Sequence, residues 1–229
     1  MLFGALGDIH GDFAAVERVM RRHPAIPYWL SIGDVADADG QYPAPIAPLF
    51  WIKGNNEDFD FIEACRRGNC PRNLHYVPNG VLTRVSALAV VGLGGTFAPK
   101  WYDTAAASLP GPKQPGGLDD KRRHFVKEDV EACKSTSGVD VFLTHEAPRP
   151  YFMETASETG GNRGRRLDAG KTPINEVLSR MRPRLHLFGH HHRFTDTMRQ
   201  GVKSIGLDLV SRSYLLVDER TLEYEQRET

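Results

Sequence analysis

Five short blocks punctuate this chain, and each closes a run of residues that reads as a β-strand: GDIHG at 7–11, GDVAD at 33–37, GNNE at 54–57, THEAP at 144–148 and GHHH at 189–192. Every block presents Asp, Asn or His, the oxygen and nitrogen ligands that suit Zn, Mn, Fe or Ni, at a strand end where loops can converge. One such cluster could be ordinary turn chemistry. Five of them restrict the chain to folds that gather strand ends at one edge, as a metal centre requires.

The runs between the blocks say which elements carry them. Leu2 to Leu6 reads as a buried strand, and the segment after Asp12 places Phe13, Val16, Val19 and Met20 near one helix face. Tyr28 to Ile32 and Leu49 to Ile52 are further strands, the second followed by a helical stretch with Phe59, Ile62, Glu63 and Cys65. This βαβ-type alternation implies a largely parallel sheet with sites at the carboxyl ends of its strands. Val81 to Val85 and Leu88 to Val91 read as a hairpin around a Ser-Ala turn, with GLGG at 92–95 directly after. GLGG lacks the Lys and Ser/Thr of a P-loop, so it reads as a close approach of strands under the site. Val139 to Leu143 delivers His145. Pro173, after a Thr172 cap, opens a helix carrying Ile174, Val177, Leu178 and Met181, and Leu185 to Phe188 delivers GHHH. Ser204 to Leu207, Tyr214 to Val217 and Thr221 to Tyr224 look like a closing antiparallel set, and the strand-rich second half predicts a second sheet packed on the first. Stretches 97–124 and 152–171, rich in Gly, Pro and basic residues, read as loops, and no repeat or linker divides 1–229, which is expected to form one domain.

Composition sets the outer limits. A length of 229 residues with 40% hydrophobic content supports one sizeable core. Lys+Arg 29 balances Asp+Glu 29, so the chain lacks the basic excess of a protein that grips nucleic acid nonspecifically. Cys65, Cys70 and Cys133 are an odd number without a zinc-ribbon spacing, which fits reduced thiols. MLFGAL runs straight into the first block with neither a basic n-region nor a long apolar stretch, so a cytoplasmic location with no membrane contact is expected.

The chemistry of the blocks can be read residue by residue. Asp8 and His10, one residue apart in an extended loop, can point to the same side and share a cation. Asp34 offers two carboxylate oxygens and could bridge two metals, whereas Asp37 reads as an ordinary loop carboxylate. The carbonyl oxygen of Asn55 is an acceptable neutral ligand. His190 and His192 at i and i+2 can face one side, which turns His191 the other way into a structural position.

The ordered set resembles the calcineurin-like metallophosphoesterase superfamily, whose pattern is GDxHG, GDxxD, GNHE or GNHD, a later His, and GHxH, and the resemblance spans positions 1 to about 207. It implies an α/β fold, a four-layer αββα sandwich with two mixed β-sheets. It implies one metal on Asp8, His10, Asp34 and His192, and another on Asp34, Asn55, His145 and His190. Two divalent ions, manganese first with iron, nickel, zinc or cobalt as alternatives, would then activate a hydroxide for hydrolysis of a phosphodiester of a small nucleotide or RNA. A phosphomonoesterase or protein phosphatase on the same site, and a non-catalytic metal-binding scaffold, are the competing expectations. No obligate protein partner is evident.

One departure bears on mechanism. Where the family usually has His in GNHE this chain has Asn56, and an amide cannot donate a proton, so Asn56 is expected to act in catalysis by hydrogen-bonding the phosphate. His75 or His124 could supply an acid instead. The stretches NLHYVPNGVLTRVSALAVVGLGGTF, VDVFLTHEAPRP and RPRLHLFGHHHRF are similar to the RNA lariat debranching branch, although that branch typically carries Cys at the position of Asp8 and His at that of Asn56. Expected substrate contacts are Arg163, Arg165, Arg166 and Lys171, or Lys121, Arg122, Arg123 and His124 with Trp101 and Tyr102 beside them to stack a base, because guanidinium groups pair bidentately with phosphate.

Overall fold

Alternating apolar residues along the strands build two sheets back to back. The computed structural model describes residues 1–113, 119–154 and 166–229. In chain order the elements are β1 (Leu2–Leu6), α1 (Phe13–Arg22), β2 (Trp29–Ser31), β3 (Leu49–Trp51), α2 (Phe59–Arg66), β4 (Leu74–Tyr76), β5 (Thr83–Val85), β6 (Leu88–Leu93), β7 (Thr96–Phe97) and β8 (His124–Phe125). There follow α3 (Lys127–Lys134), β9 (Val141–Thr144), β10 (Phe152–Glu154), β11 (Arg166–Asp168), α4 (Thr172–Met181), β12 (Leu185–Phe188), β13 (Thr195–Arg199), β14 (Val202–Gly206), β15 (Ser213–Asp218) and β16 (Tyr224–Glu228).

One sheet has the order β16-β15-β1-β2-β3-β4 and the other β13-β14-β12-β9-β6-β5. β1 to β4 are parallel, as are β6, β9, β12 and β14. Antiparallel strands finish each sheet. Phe3, Ala5 and Leu30 of the first sheet meet Val90, Val141, Leu143, Leu185, Leu187 and Ile205 of the second between the layers. The alternate residues Trp29, Leu49 and Trp51 face outward and are covered by Val16, Val19 and Met20 of α1 and by Phe59 and Ile62 of α2. On the far side Val91, Leu93 and Phe142 lie under Val130 and Cys133 of α3 and Ile174, Val177 and Leu178 of α4. Because side chains alternate with period two, each central strand feeds two of these apolar layers, and the result is the expected four-layer αββα sandwich.

Local signals account for most element ends. Asp12 caps α1 by accepting from the Ala15 N–H at 3.0 Å, while Arg21 and Arg22 complement the dipole of its last turn. The hairpin of β5 and β6 turns at Ser86, which has φ 53°.

Four readings need correction. Helix α4 begins at Thr172, so Lys171 rather than Thr172 is its N-cap, and it makes no side-chain cap bond. The tail is not one antiparallel set: β14 is parallel to β12 in the second sheet, whereas β15 returns antiparallel to β1 in the first. Residues 221–223 form the turn before β16. Cys65 and Cys70 are joined as a disulfide where the chain reverses after α2, leaving Cys133 as a buried thiol. The loop readings of 97–124 and 152–171 missed the short 3-10 turns Pro99–Trp101, Ala106–Ser108 and Lys121–Arg123, the parallel pairing of β7 with β8 and the antiparallel pairing of β10 with β11. Among the described residues no helix is long and apolar enough to cross a membrane.

His186 shows how a polar residue is tolerated in this interior. It sits on the outer face of β12, fully buried and stacked on Phe142 at 5.4 Å. Thr144 donates its hydroxyl hydrogen to the Glu146 carbonyl at 2.6 Å, so its oxygen accepts from His186 Nε2–H at 2.9 Å, and the Ser204 hydroxyl, 3.1 Å from His186 Nδ1 and 3.3 Å from the Val202 carbonyl, can turn its one hydrogen to Nδ1. Both ring nitrogens of the neutral form are thus satisfied. Burial presses the imidazole down to about 3. The folded value lies below the unfolded one, so unfolding takes up a proton in the window between about 3 and about 6.5. The stability this neutral ring contributes is full above the window and is lost as pH falls through it. His186→Gln is therefore expected to flatten the pH slope of the unfolding free energy there by up to one proton, about 1.4 kcal/mol per pH unit. Urea unfolding at a series of pH values reads the slope, and identical slopes in the two proteins would refute this account of the ring.

Candidate metal centre

The carboxyl ends of β1, β2 and β3 in one sheet and of β9 and β12 in the other open toward the same edge, and the five blocks are the loops that leave them. Their backbones are tightly constrained. His10, Asp34, His190 and His192 all have left-handed φ, at 46°, 51°, 69° and 49°. For non-glycine residues such conformations cost about 1–3 kcal/mol each and persist where the surroundings enforce them. Gly33, with φ +103°, and Gly54 are pressed together, because a Cβ on Gly33 would lie 2.6 Å from the Gly54 nitrogen and one on Gly54 would lie 1.9 Å from Asp34 Oδ1. These glycines let the second and third loops touch.

Two trios of ligand atoms result: Asp8, His10 and His192, and Asp34, His145 and His190. In the first, His192 Nε2 is 2.9 Å from Asp8 Oδ2 and 3.0 Å from His10 Nε2. In the second, His145 Nε2 is 3.6 Å from Asp34 Oδ1 and 3.0 Å from Asn55 Oδ1. Asp34 stands between them, with Oδ2 3.5 Å from His10 Nε2 and Oδ1 toward His145. All seven residues singled out as ligands in the sequence therefore meet at one place. Asp8, Asp34 and His145 are buried, while His10 is exposed.

The donor chemistry fits divalent cations. His145 Nδ1 lies 2.9 Å from the Ile32 carbonyl, which can only accept, so Nδ1 carries a hydrogen, and when the ring is neutral Nε2 turns a lone pair inward. That lone pair faces the Asn55 and Asp34 oxygens, which are acceptors too. Burial opposes it, but the charges of Asp34 and Asp8 and the Ile32 bond raise the His145 pKa, so a proton on Nε2 can sit among these oxygens, and a metal cation held there would take its place. Around the edge, the Asp8 carboxylate accepts the His190 backbone N–H at 3.2 and 3.1 Å, and Asp34 accepts the Asn56 N–H at 2.8 Å and its amide Nδ2 at 2.9 Å. Burial alone would raise the Asp34 carboxyl, but the facing His145, the Asn56 bonds and His10 together hold it below the usual carboxylate range. Burial, with His145 next to it, presses His190 down to about 4, so its ring is neutral and available as a ligand.

Two carboxylates escaped the sequence reading. Glu57 accepts from the backbone N–H groups of Val35 (3.1 Å), Ala36 (3.2 Å) and Gly54 (3.1 Å) and from Tyr42 Oη–H (2.9 Å), tying the second and third loops together. Burial and the neighbouring Asp34 push it up to about 7. Glu146, beside His145, is buried, takes the Phe97 N–H at 2.6 Å and lies 4.0 Å from His190 Nε2. Its position in THEAP was visible in the sequence, but a Glu beside a His carries no signal of its direction.

The expected substrate residues divide. Lys171 reaches the site's edge, 3.3 Å from Glu146 Oε1. Arg163 and Arg165 lie outside the described residues, as does the side chain of Arg166. Arg122 is committed to Asp120 and Asp60, and Arg123 Nε donates to the Asn55 carbonyl at 3.1 Å. Tyr102 packs edge-on against Phe97 at 5.2 Å. His191 stacks on Tyr151 at 4.4 Å, away from the ligand set, and Asp37 caps its own turn through the Asp39 and Gln41 N–H groups. A cleft of about 560 Å³ adjoins the centre, lined by Asn55, Asn56, Phe59, Asp60, Arg122 and Arg123 among others.

A two-sheet sandwich that delivers Asp, Asn and His from five strand ends to two adjoining trios belongs to the metal-dependent hydrolases. Residues 1–194 match the calcineurin-like phosphoesterase family, and the chain belongs to it. The chain is 25% identical over 208 residues to the lariat debranching enzyme of Schizosaccharomyces pombe (strain 972 / ATCC 24843), a match covering 82% of this chain and 42% of that enzyme. It therefore spans less than half of that relative's length. Its fold is similar to that of TT1561 of Thermus thermophilus, with TM-score 0.65 and 15% identity over 99% of this chain and 98% of that one. It is also similar to a putative 5'-nucleotidase from Staphylococcus aureus, with TM-score 0.51 and 13% identity over 99% of this chain and 52% of that one.

The contact between Gly54 and Asp34 can be tested directly. Gly54→Ala is expected to weaken Mn²⁺ binding by about 10–100-fold by displacing the Asp34 carboxylate. Gly111→Ala, where an added Cβ meets nothing within 4 Å, serves as the control. Calorimetric titration of both variants measures the effect, and wild-type affinity in Gly54→Ala would show that the two loops have room to part.

Proposed function

We propose that this chain is a phosphodiesterase whose residues hold two divalent ions, one on Asp8, His10, Asp34 and His192 and the other on Asp34, Asn55, His145 and His190. The observation that carries this reading is the Asp34 carboxylate, which turns one oxygen toward each trio. Ions held there would withdraw charge from phosphoryl oxygens and lower the pKa of a water to about 7, supplying a nucleophile without a side-chain base. Manganese is the first candidate for these nitrogen and oxygen donors, with iron, nickel, zinc and cobalt also compatible.

The chain's own groups have separate tasks. Ile32 fixes the His145 tautomer, and Asn56 holds both oxygens of Asp34 while its remaining amide hydrogen serves a phosphoryl oxygen. Among the described residues, Lys171 is engaged with Glu146, Arg122 with Asp60 and Asp120, and Arg123 with the Asn55 carbonyl. That environment suits a singly charged diester better than a doubly charged monoester. A small nucleotide or RNA diester is the preferred substrate class, supported by likeness to the lariat debranching enzyme and limited by the departures at Asp8 and Asn56.

Protonation of the leaving oxygen is the weak step. Asn56 cannot supply a proton, His124 is pressed down to about 4 by burial and accordingly neutral near pH 7, and His75 stacks on Phe50 at 4.7 Å along β4. Aryl esters, which leave without a proton, should therefore be cleaved well and alkyl esters slowly. Asn56→His is expected to raise turnover of alkyl phosphodiesters toward the 10²–10⁴-fold that a general acid typically contributes, with little gain on bis(p-nitrophenyl) phosphate. A parallel assay on p-nitrophenyl phosphate separates diesterase from monoesterase. Two bound ions with no turnover of any phosphoester would favour the scaffold reading instead, and an equal gain on both ester types would remove the missing acid as the explanation.

A further inference from the structure

We propose that Arg123 is a positioning residue for the metal centre, acting through Asn55. The inference rests on the reading of Asn55 as an ion ligand. Asn55 is the weakest donor of the set, a neutral amide on a half-buried loop between Gly54 and the exposed Asn56. A carboxylate or imidazole can be drawn into place by strong attraction to a cation. A neutral amide gains less, so its geometry depends more on what holds its backbone.

The structure supplies that hold from a distant part of the sequence. Arg123 places Nε, at 3.1 Å, and Nη2 on the carbonyl oxygen of Asn55, 68 residues away. Lys53, two residues before Asn55, donates Nζ to the carbonyls of Arg122 at 2.7 Å and His124 at 3.0 Å, on either side of Arg123. The strap carrying Arg123 is anchored in turn. Arg122 is locked to Asp120 and Asp60, His124 Nδ1 meets Thr96 Oγ1 at 3.0 Å, and a Cβ on Gly95 would lie 2.5 Å from the Arg123 carbonyl. Phe97, paired with Phe125 across β7 and β8, donates its N–H to Glu146, the neighbour of His145. One strap therefore braces Asn55 on one side and the His145 loop on the other, and these are the two residues whose Oδ1 and Nε2 atoms stand 3.0 Å apart. Arg123 is suited to this task because the planar guanidinium presents several N–H groups in a fixed fork, which the single ammonium of lysine cannot reproduce.

The test is Mn²⁺ binding to the metal-free full chain, with Arg123→Ala, Arg123→Lys and Asn55→Ala compared with wild type. Arg123→Ala is expected to weaken one of two ions by about 10–100-fold and leave the other unchanged, to lower kcat with KM nearly constant, and to recover both on addition of methylguanidinium. Arg123→Lys should recover only part of the loss. If Arg123→Ala does not fold, Arg123→Lys carries the same test, because it keeps charge and stem and loses only the fork. Full Mn²⁺ affinity in Arg123→Lys with wild-type kcat would then overturn the proposal. So would an Asn55→Ala variant that loses an ion beside an Arg123→Ala variant that does not. If Asn55→Ala binds both ions normally, the ligand reading of Asn55 fails on its own, and a loss confined to Arg123→Ala would place that side chain elsewhere in the centre.

Discussion

The architecture depends on the placing of one buried carboxylate, Asp34. It is 1% exposed, lies in left-handed backbone and is approached by His10 on one side and His145 on the other. A charge removed from water to this extent must be compensated, and the chain does so with two directed donors, the Asn56 N–H and amide, and with the electrostatic attraction of imidazoles from both sheets. Because His10 belongs to the loop after β1 and His145 to the loop after β9, this requirement also fixes how the two sheets are set against each other. The apolar layer between the sheets supplies the attraction that holds them together.

The strained loops belong to the same logic. Four of the proposed ligand residues have positive φ, which would cost free energy in each case in an unconstrained chain. Here the glycines beside them, the packed strands behind them and the carboxyl group of Glu57 between them leave no relaxed alternative. Glu57 accepts N–H groups from two loops at once, so it replaces the regular ladder that the strands lose as they splay apart. Rigid loops of this kind hold ligand atoms near their final positions before any cation arrives, which lowers the reorganisation needed on binding.

Much of this was legible in the sequence, for a physical reason. Buried parallel strands are continuous apolar runs, and a ligand must follow the run directly, so β1, β2, β3, β9 and β12 and the residues after them could be read from local pattern alone. What escaped is what long-range packing decides. Helix α3 is short and charged and buries only Val130 and Cys133, so its period was invisible. The Cys65–Cys70 pair is only five residues apart and follows no diagnostic spacing. Strands β14 and β15 carry similar apolar alternation, and nothing local says that one stays in the second sheet while the other crosses to the first. Glu57, Glu146, Lys53 and Arg123 are ordinary charged residues until the fold shows what they face.

Charge sets the final constraint on the substrate. The proposed ligand set contributes two carboxylates, from Asp8 and Asp34, against the four positive charges of two divalent ions, and Asn55 and the neutral imidazoles add none. On that reading the uncompensated charge would favour an anion, while among the described residues Arg122, Lys171 and Arg123 are paired with Asp60, Asp120 and Glu146 or bonded to a carbonyl. In a chain of no net charge, the proposed ions themselves would then be the main source of attraction for a phosphate. A site of the proposed kind would hold a phosphate strongly and the groups attached to it weakly. Discrimination among substrates would then fall to the cleft beside Asn55 and Asn56, and to how readily the leaving oxygen departs without a proton.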